Sequence, residues 1–164
     1  MQNKFTPIII STVIITLISV FPFLNFINIV CCAGVILGVL AGTFYYNNRL
    51  RAEGQVIQFK DGVMIGLLSG MLSAILTVII ITLYTILLKQ NPIPEIYNIL
   101  DKQGIQLPPD VEDLLQKISN EYSHTGFSIT LTIANFILYI IIYPLFGMLG
   151  GIIGVSIFGR RKAE

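Results

Sequence analysis

His124 is the only histidine in the chain, and it follows closely on Glu121 and Tyr122. A histidine beside a carboxylate is the smallest unit that can do general acid–base work. One histidine with no cysteine nearby falls short of a zinc site, which needs three or four nitrogen, sulfur or oxygen ligands. The only cysteines, Cys31 and Cys32, are neighbours inside an apolar run. A disulfide wants Cα atoms roughly 5.5–6 Å apart, so this vicinal pair reads as two small packing residues. No serine sits in a nucleophile elbow and no glycine-rich phosphate loop follows a strand. The His/Glu pair therefore reads as an interfacial or capping group. No enzyme, cofactor, catalytic residue or metal site is expected.

Two other polar residues bear on transport. Asp61 follows Lys60 at the mouth of an apolar segment and reads as a helix cap rather than a proton carrier. Asn135 lies inside another apolar segment, with Thr130, Thr132 and Tyr139 nearby. It is the candidate polar interior contact, either an interhelical hydrogen bond or a solute contact, and the first reading is preferred. A coupled transporter keeps an ionisable group within the bilayer, where it is costly and hence functional. None of the apolar segments holds an interior Asp, Glu, Lys or Arg, which disfavours proton coupling and leaves a passive pore open.

The elements that position these residues follow from charge. Residues 5–48, 62–88 and 123–159 contain no Asp, Glu, Lys or Arg. A hydrocarbon core about 30 Å thick takes roughly 20 apolar residues per helix, so the first stretch holds two spans and each of the others one. The composition agrees: 54% hydrophobic and 12% charged, against roughly 25% charged in soluble domains. The expected fold is an all-α membrane protein with four transmembrane helices, at about residues 6–21, 27–46, 61–88 and 127–158. Pro22, Asn25 and Asn28 mark a tight turn after the first. That helix reads as an uncleaved span, because no small-x-small cleavage site follows it. The last is long enough that it must tilt, project from the bilayer or bend at Pro144.

Basic residues set the orientation. The 47–60 loop carries Arg49, Arg51 and Lys60, and the tail carries Arg160, Arg161 and Lys162. Residues 89–126 hold six acids against three lysines. Both termini are thus expected on the cytoplasmic side of a bacterial inner membrane, with 89–126 an extracytoplasmic amphipathic insertion. Within it, Glu95–Gln103 forms one short helix ended by Gly104, and Pro108-Pro109 opens a second over Asp110–Tyr122. Val111, Leu114, Leu115, Ile118 and Tyr122 recur there at helical spacing and form one apolar face. That face packs on the helix ends or the bilayer surface, or it docks a partner.

Small residues recur every fourth position in three of the spans: Gly34, Gly38 and Gly42; Gly62, Gly66 and Gly70; Gly147 and Gly151, overlapped by Gly150 and Gly154. In lipid such stripes let helix backbones approach closely, so these glycines are expected to pack the bundle. The segment starting at Gly34 also aligns without gaps to that starting at Gly147. This echo would make two tandem helical hairpins of one orientation, with chance as its competitor.

Gly54-Gln-Val-Ile-Gln-Phe59-Lys-Asp-Gly62-Val-Met-Ile-Gly66, the acidic insertion opening at Asn91-Pro92 and the glycine-rich last helix resemble a family of small four-helix bacterial inner-membrane proteins known only as a domain of unknown function. The resemblance spans nearly the whole chain and implies four helices and an inner-membrane location, without site residues. The expected role is a non-enzymatic accessory or scaffold component of the cell envelope; the alternative is a small channel or transporter. Expected partners are the lipid bilayer and either a second copy of the chain or an envelope protein. A net charge of +1 without a basic stripe gives no reason to expect nucleic acid.

Overall fold

The computed structural model describes residues 4–21, 32–88, 91, 93–105 and 107–159. Among them lie six helices and no strand: α1 (Phe5–Val20), α2 (Ala33–Ala52), α3 (Phe59–Leu88), α4 (Ile93–Gln103), α5 (Pro109–Thr125) and α6 (Ile129–Phe158). The expected turn at Pro22, Asn25 and Asn28 lies outside the described residues. So do positions 27–31 of the second expected span, Pro92 and the basic tail.

Among the described residues two helices, α3 and α6, are long and apolar enough by length and composition to cross a membrane. At 30 residues each, they extend about 45 Å. α1 is apolar but only 16 residues long, and the described part of the second expected span starts at Cys32 and runs on into polar sequence, so among the described residues neither meets that measure. α6 runs as one uninterrupted helix across Pro144.

The second helix corrects the expected end at Tyr46, for it continues to Ala52. The polar run Asn47-Asn48-Arg49 suggested a loop. The buried row Val35, Val39, Thr43, Tyr46 and Leu50 instead keeps helical spacing to the end, and packing of that stripe outweighs local polarity. The helix stops at Gly54, whose φ of 69° suits glycine. There the Gln55 N–H reaches the Leu50 carbonyl (2.9 Å) and the Gly54 N–H that of Arg51 (3.0 Å), closing two otherwise unpaired carbonyls. α3 begins two residues before the expected Asp61, because Gln58 accepts the first helical bond from the Asp61 N–H (2.9 Å). Asp61 Oδ2 in turn accepts the Gln58 N–H (3.1 Å), the reciprocal half of a capping box. α5 extends from Pro109 to Thr125, three residues beyond the expected end.

The chain divides into two compact units, residues 1–77 with 137–164, and residues 78–136. In the first, α1 and α2 run antiparallel: a Cβ on Gly42 would meet Pro7 and Ser11, and one on Gly38 would meet Ser11 and Ile15. The parts of α3 and α6 in this unit are also antiparallel, with Gly62 against Gly151, Gly66 against Gly147 and Gly70 against Tyr143 and Pro144. α2 and α6 lie parallel, Gly150 on Ile36 and Gly154 on Thr43. Ile15, Val35, Val39, Ala74 and Tyr143 fill the interior, and Ile8, Tyr46, Leu50, Ile57 and Ile65 form a second apolar cluster.

The second unit holds α4 and α5 with the adjoining ends of α3 and α6. Val78, Ile93 and Ile118 are its buried apolar residues among those described. Asn91 ties the helices together: its Oδ1 accepts the Ile93 N–H (3.0 Å) and its Nδ2 donates to Ser119 Oγ (3.4 Å).

Candidate functional site

The glycine residues of the expected stripes are spent on backbone contact. Gly38, Gly42, Gly62, Gly66, Gly70, Gly147 and Gly151 each have a backbone or side chain of another helix where a Cβ would stand. Gly34 is buried at the start of α2.

A second row of small residues was not singled out from the sequence. Ser11, Thr12, Thr16 and Ser19 of α1, and Ser69, Ser73 and Thr77 of α3, are all buried. The signal was available: hydroxyls at 12 and 16, at 11 and 19, and at 69, 73 and 77 keep the same four-residue rhythm as the glycines. Ser69 and Ser73 return their protons to the preceding turn of their own helix. Tyr143 Oη donates to Ser19 Oγ (2.9 Å), and Ser19 Oγ donates to the Ile15 carbonyl (2.8 Å). Ser11, Thr12, Thr16 and Thr43 have buried hydroxyls without a hydrogen-bond partner among the described residues. At one end of this unit Lys4 Nζ lies 2.6 Å from Asp61 Oδ1.

In the second unit Glu121 does not form a dyad with His124. Its Oε2 accepts the Ser128 hydroxyl (2.5 Å) and the Thr130 N–H (3.0 Å), and its Oε1 accepts the Thr130 hydroxyl (2.5 Å). The hydroxyls of Ser128 and Thr130, followed by the Thr130 N–H, hold the carboxyl down to about 2. Ser128 also caps α6, its Oγ accepting the Leu131 N–H (3.1 Å). The carboxylate thus lies at a helix N-terminus, where negative charge is favoured. His124 is exposed.

The expected apolar face of α5 is split. Ile118 is 5% exposed, and Leu115 and Tyr122 are half-buried; burial also raises the Tyr122 phenol above its usual range. Val111 (40%) and Leu114 (48%) stand in the open, with Ile96, Ile99 and Ile105 of α4 and its following turn. A groove of about 430 Å³ between these elements is lined by Tyr97, Leu100, Ile105 and Leu107, with Asp101 and Glu112. Asn135 is half-buried in α6, at a distance in sequence from this groove. The structure does not bring these residues into one cluster. Among the described residues, no three His, Cys, Asp or Glu side chains gather to hold a metal. No protein-family model, no curated protein and no solved structure matches the chain.

Proposed function

We propose that the chain is a non-enzymatic accessory or scaffold protein of a bacterial inner membrane, which holds a protein partner on the outer face of α4 and α5. α1, α2, α3 and α6 are its four membrane helices, with both termini cytoplasmic and residues 89–126 outside. Support for the membrane comes from where the apolar surface lies. Only 22% of the most apolar window of α3 and 28% of that of α6 are buried, whereas the core helix of a soluble protein buries most of its surface. The directions of the helices agree with an alternating path, since α1 and α2 are antiparallel and α2 and α6 parallel.

The observation that carries the partner reading is the uncovered half of the apolar face, Val111 and Leu114; Ile96, Ile99 and Ile105 of α4 and its following turn are exposed as well. A helix lying on an anionic bilayer is rich in Lys and Arg. Here the exposed positions around Val111 are Asp110, Glu112 and Asp113, which such a surface repels. An apolar partner segment with a basic rim complements the face better.

Charge reversal tests this: Glu112→Lys with Asp113→Lys should abolish co-purification of a stoichiometric partner from native membranes, and Asn135→Leu should leave it intact. The converse pattern, with solute flux in liposomes lost in Asn135→Leu, would replace the scaffold by a small channel.

A further inference from the structure

α1 and α3 run in the same direction and are tied at two levels. In their first turns Lys4 Nζ meets Asp61 Oδ1 (2.6 Å). Farther along, Tyr143 Oη of α6 donates to Ser19 Oγ (2.9 Å) and is hydrogen-bonded to Thr77 as well. Between these ties each helix carries a row at four-residue spacing: Lys4, Ile8, Thr12 and Thr16 on α1, and Asp61, Ile65, Ser69, Ser73 and Thr77 on α3. Residues four apart share a helix face, so the contact of Lys4 with Asp61 sets the two rows rung against rung. Ile8 and Ile65 make the second rung, inside one apolar cluster. Thr12 then comes level with Ser69, and Thr16 with Ser73. All four are buried, Thr12 at 4% and Thr16 at 6% exposure and both serines at 0%.

The hydroxyls on these two rungs do not bond across the seam. A helical serine or threonine can return its proton to the carbonyl one turn back, as Ser69 and Ser73 do to Ile65 (2.5 Å) and Ser69 (2.7 Å). Thr12 and Thr16 make no such bond and have no partner among the described residues. The other two hydroxyls in that condition, on Ser11 and Thr43, have glycine backbone packed beside them: a Cβ on Gly42 would fall on Ser11 Oγ, and one on Gly154 on Thr43. Facing hydroxyls that share a buried level without touching are the usual setting of a bridging water. The rungs offer protons at Thr12 and Thr16 and lone pairs on all four oxygens. A neutral molecule that both gives and takes hydrogen bonds fits this lining, whereas a cation would bring a charge that no carboxylate on these rungs balances. We propose that ordered water bridges Thr12 to Ser69 and Thr16 to Ser73, in a buried site closed on one side by Ile8 and Ile65 and on the other by Tyr143. Buried waters make about 2–4 hydrogen bonds each, which these hydroxyls supply. Closed at both ends, the site holds water without conducting it. The inference rests on the packing of α1 and α3 and is independent of what α4 and α5 bind.

Solid-state NMR of the full chain in lipid bilayers, with magnetisation passed from water to methyl groups, tests it. The Thr12 and Thr16 methyls should gain signal several-fold faster than those of Val39, which lies in the apolar cluster of the same unit. Equal rates at the three residues would overturn the site. Thr12→Val keeps the shape of the side chain and removes its hydroxyl. With water bound, this change should lower the thermal unfolding midpoint in detergent by about 2–4 °C, the scale of one hydrogen bond in a chain of this size. A midpoint that stays the same or rises would show that the hydroxyl is buried dry, and would overturn the site as well.

Discussion

Gly66 and Gly147 face each other across α3 and α6 so closely that a Cβ on either would fall on the carbonyl group of the other. The obstacle is backbone on both sides, so neither position has a flexible side chain that can yield. Gly66→Ala and Gly147→Ala should each destabilise the chain by at least about 1–3 kcal/mol, the usual cost of overpacking. Thermal unfolding in detergent checks this against Ser156→Ala, at an exposed site on α6, which should lie within about 0.5 kcal/mol of wild type.

Glu121 makes the junction of α5 with the start of α6 sensitive to acid. Its carboxyl is lowered in the folded chain from 4.5 to about 2. The stabilisation is therefore complete above about pH 5 and is lost as the pH falls through 4.5 towards 2. Exchange of the Thr130 amide proton, which Glu121 holds, should quicken over that window after correction for intrinsic rates. Glu121→Gln should remove the pH-dependent part.

Lys4 and Asp61 join the first turns of α1 and α3 at 2.6 Å, with Asp61 buried. Asp61→Asn should cost about 1.5–3 kcal/mol, as for a hydrogen bond to a charged group. Lys4→Met alone should cost a similar amount, because it leaves the carboxylate buried without its cation. The double variant should be less unstable than the sum, and a double-mutant cycle of unfolding free energies reads the coupling.

Tyr143→Phe removes the hydroxyl that donates to Ser19. Such interhelical bonds contribute about 0.6–1.7 kcal/mol within membrane bundles, so a loss in that range is expected in the same unfolding assay. Tyr143→Leu should cost more, since the ring also stacks on Tyr139 with centroids 4.9 Å apart.

Much of the helical layout was legible because lipid and water impose opposite demands on composition. Charge-free runs located α1, α3 and α6, and the glycine rhythm marked the residues that meet across helices. Proline and acid placement located α5, and Gly104 ended α4. Legibility failed where burial overrode polarity, as in the last turn of α2, where Tyr46 and Leu50 pull Asn47 and Arg49 into the helix. It failed again for the hydroxyl rows of α1 and α3, because serine and threonine fit a lipid-facing turn and a helix seam alike. The pairing of Glu121 with Ser128 and Thr130 was hidden by the turn between α5 and α6, whose conformation alone decides which hydroxyls the carboxylate reaches. The face at Val111 and Leu114 was visible as a pattern, yet its division at Ile118 depends on where α4 lies.

The Gly66–Gly147 seam also sets an order of events during synthesis. Its two halves lie about eighty positions apart, so a ribosome adding about 5–20 residues per second finishes the first several seconds before the second. α1 and α2 can close on one another early, their glycines meeting Ser11 and Ile15. α3 must wait with its groove open until α6 arrives, so a chain cut short before Tyr143 would leave Gly62, Gly66 and Gly70 without the backbone they meet in the finished fold.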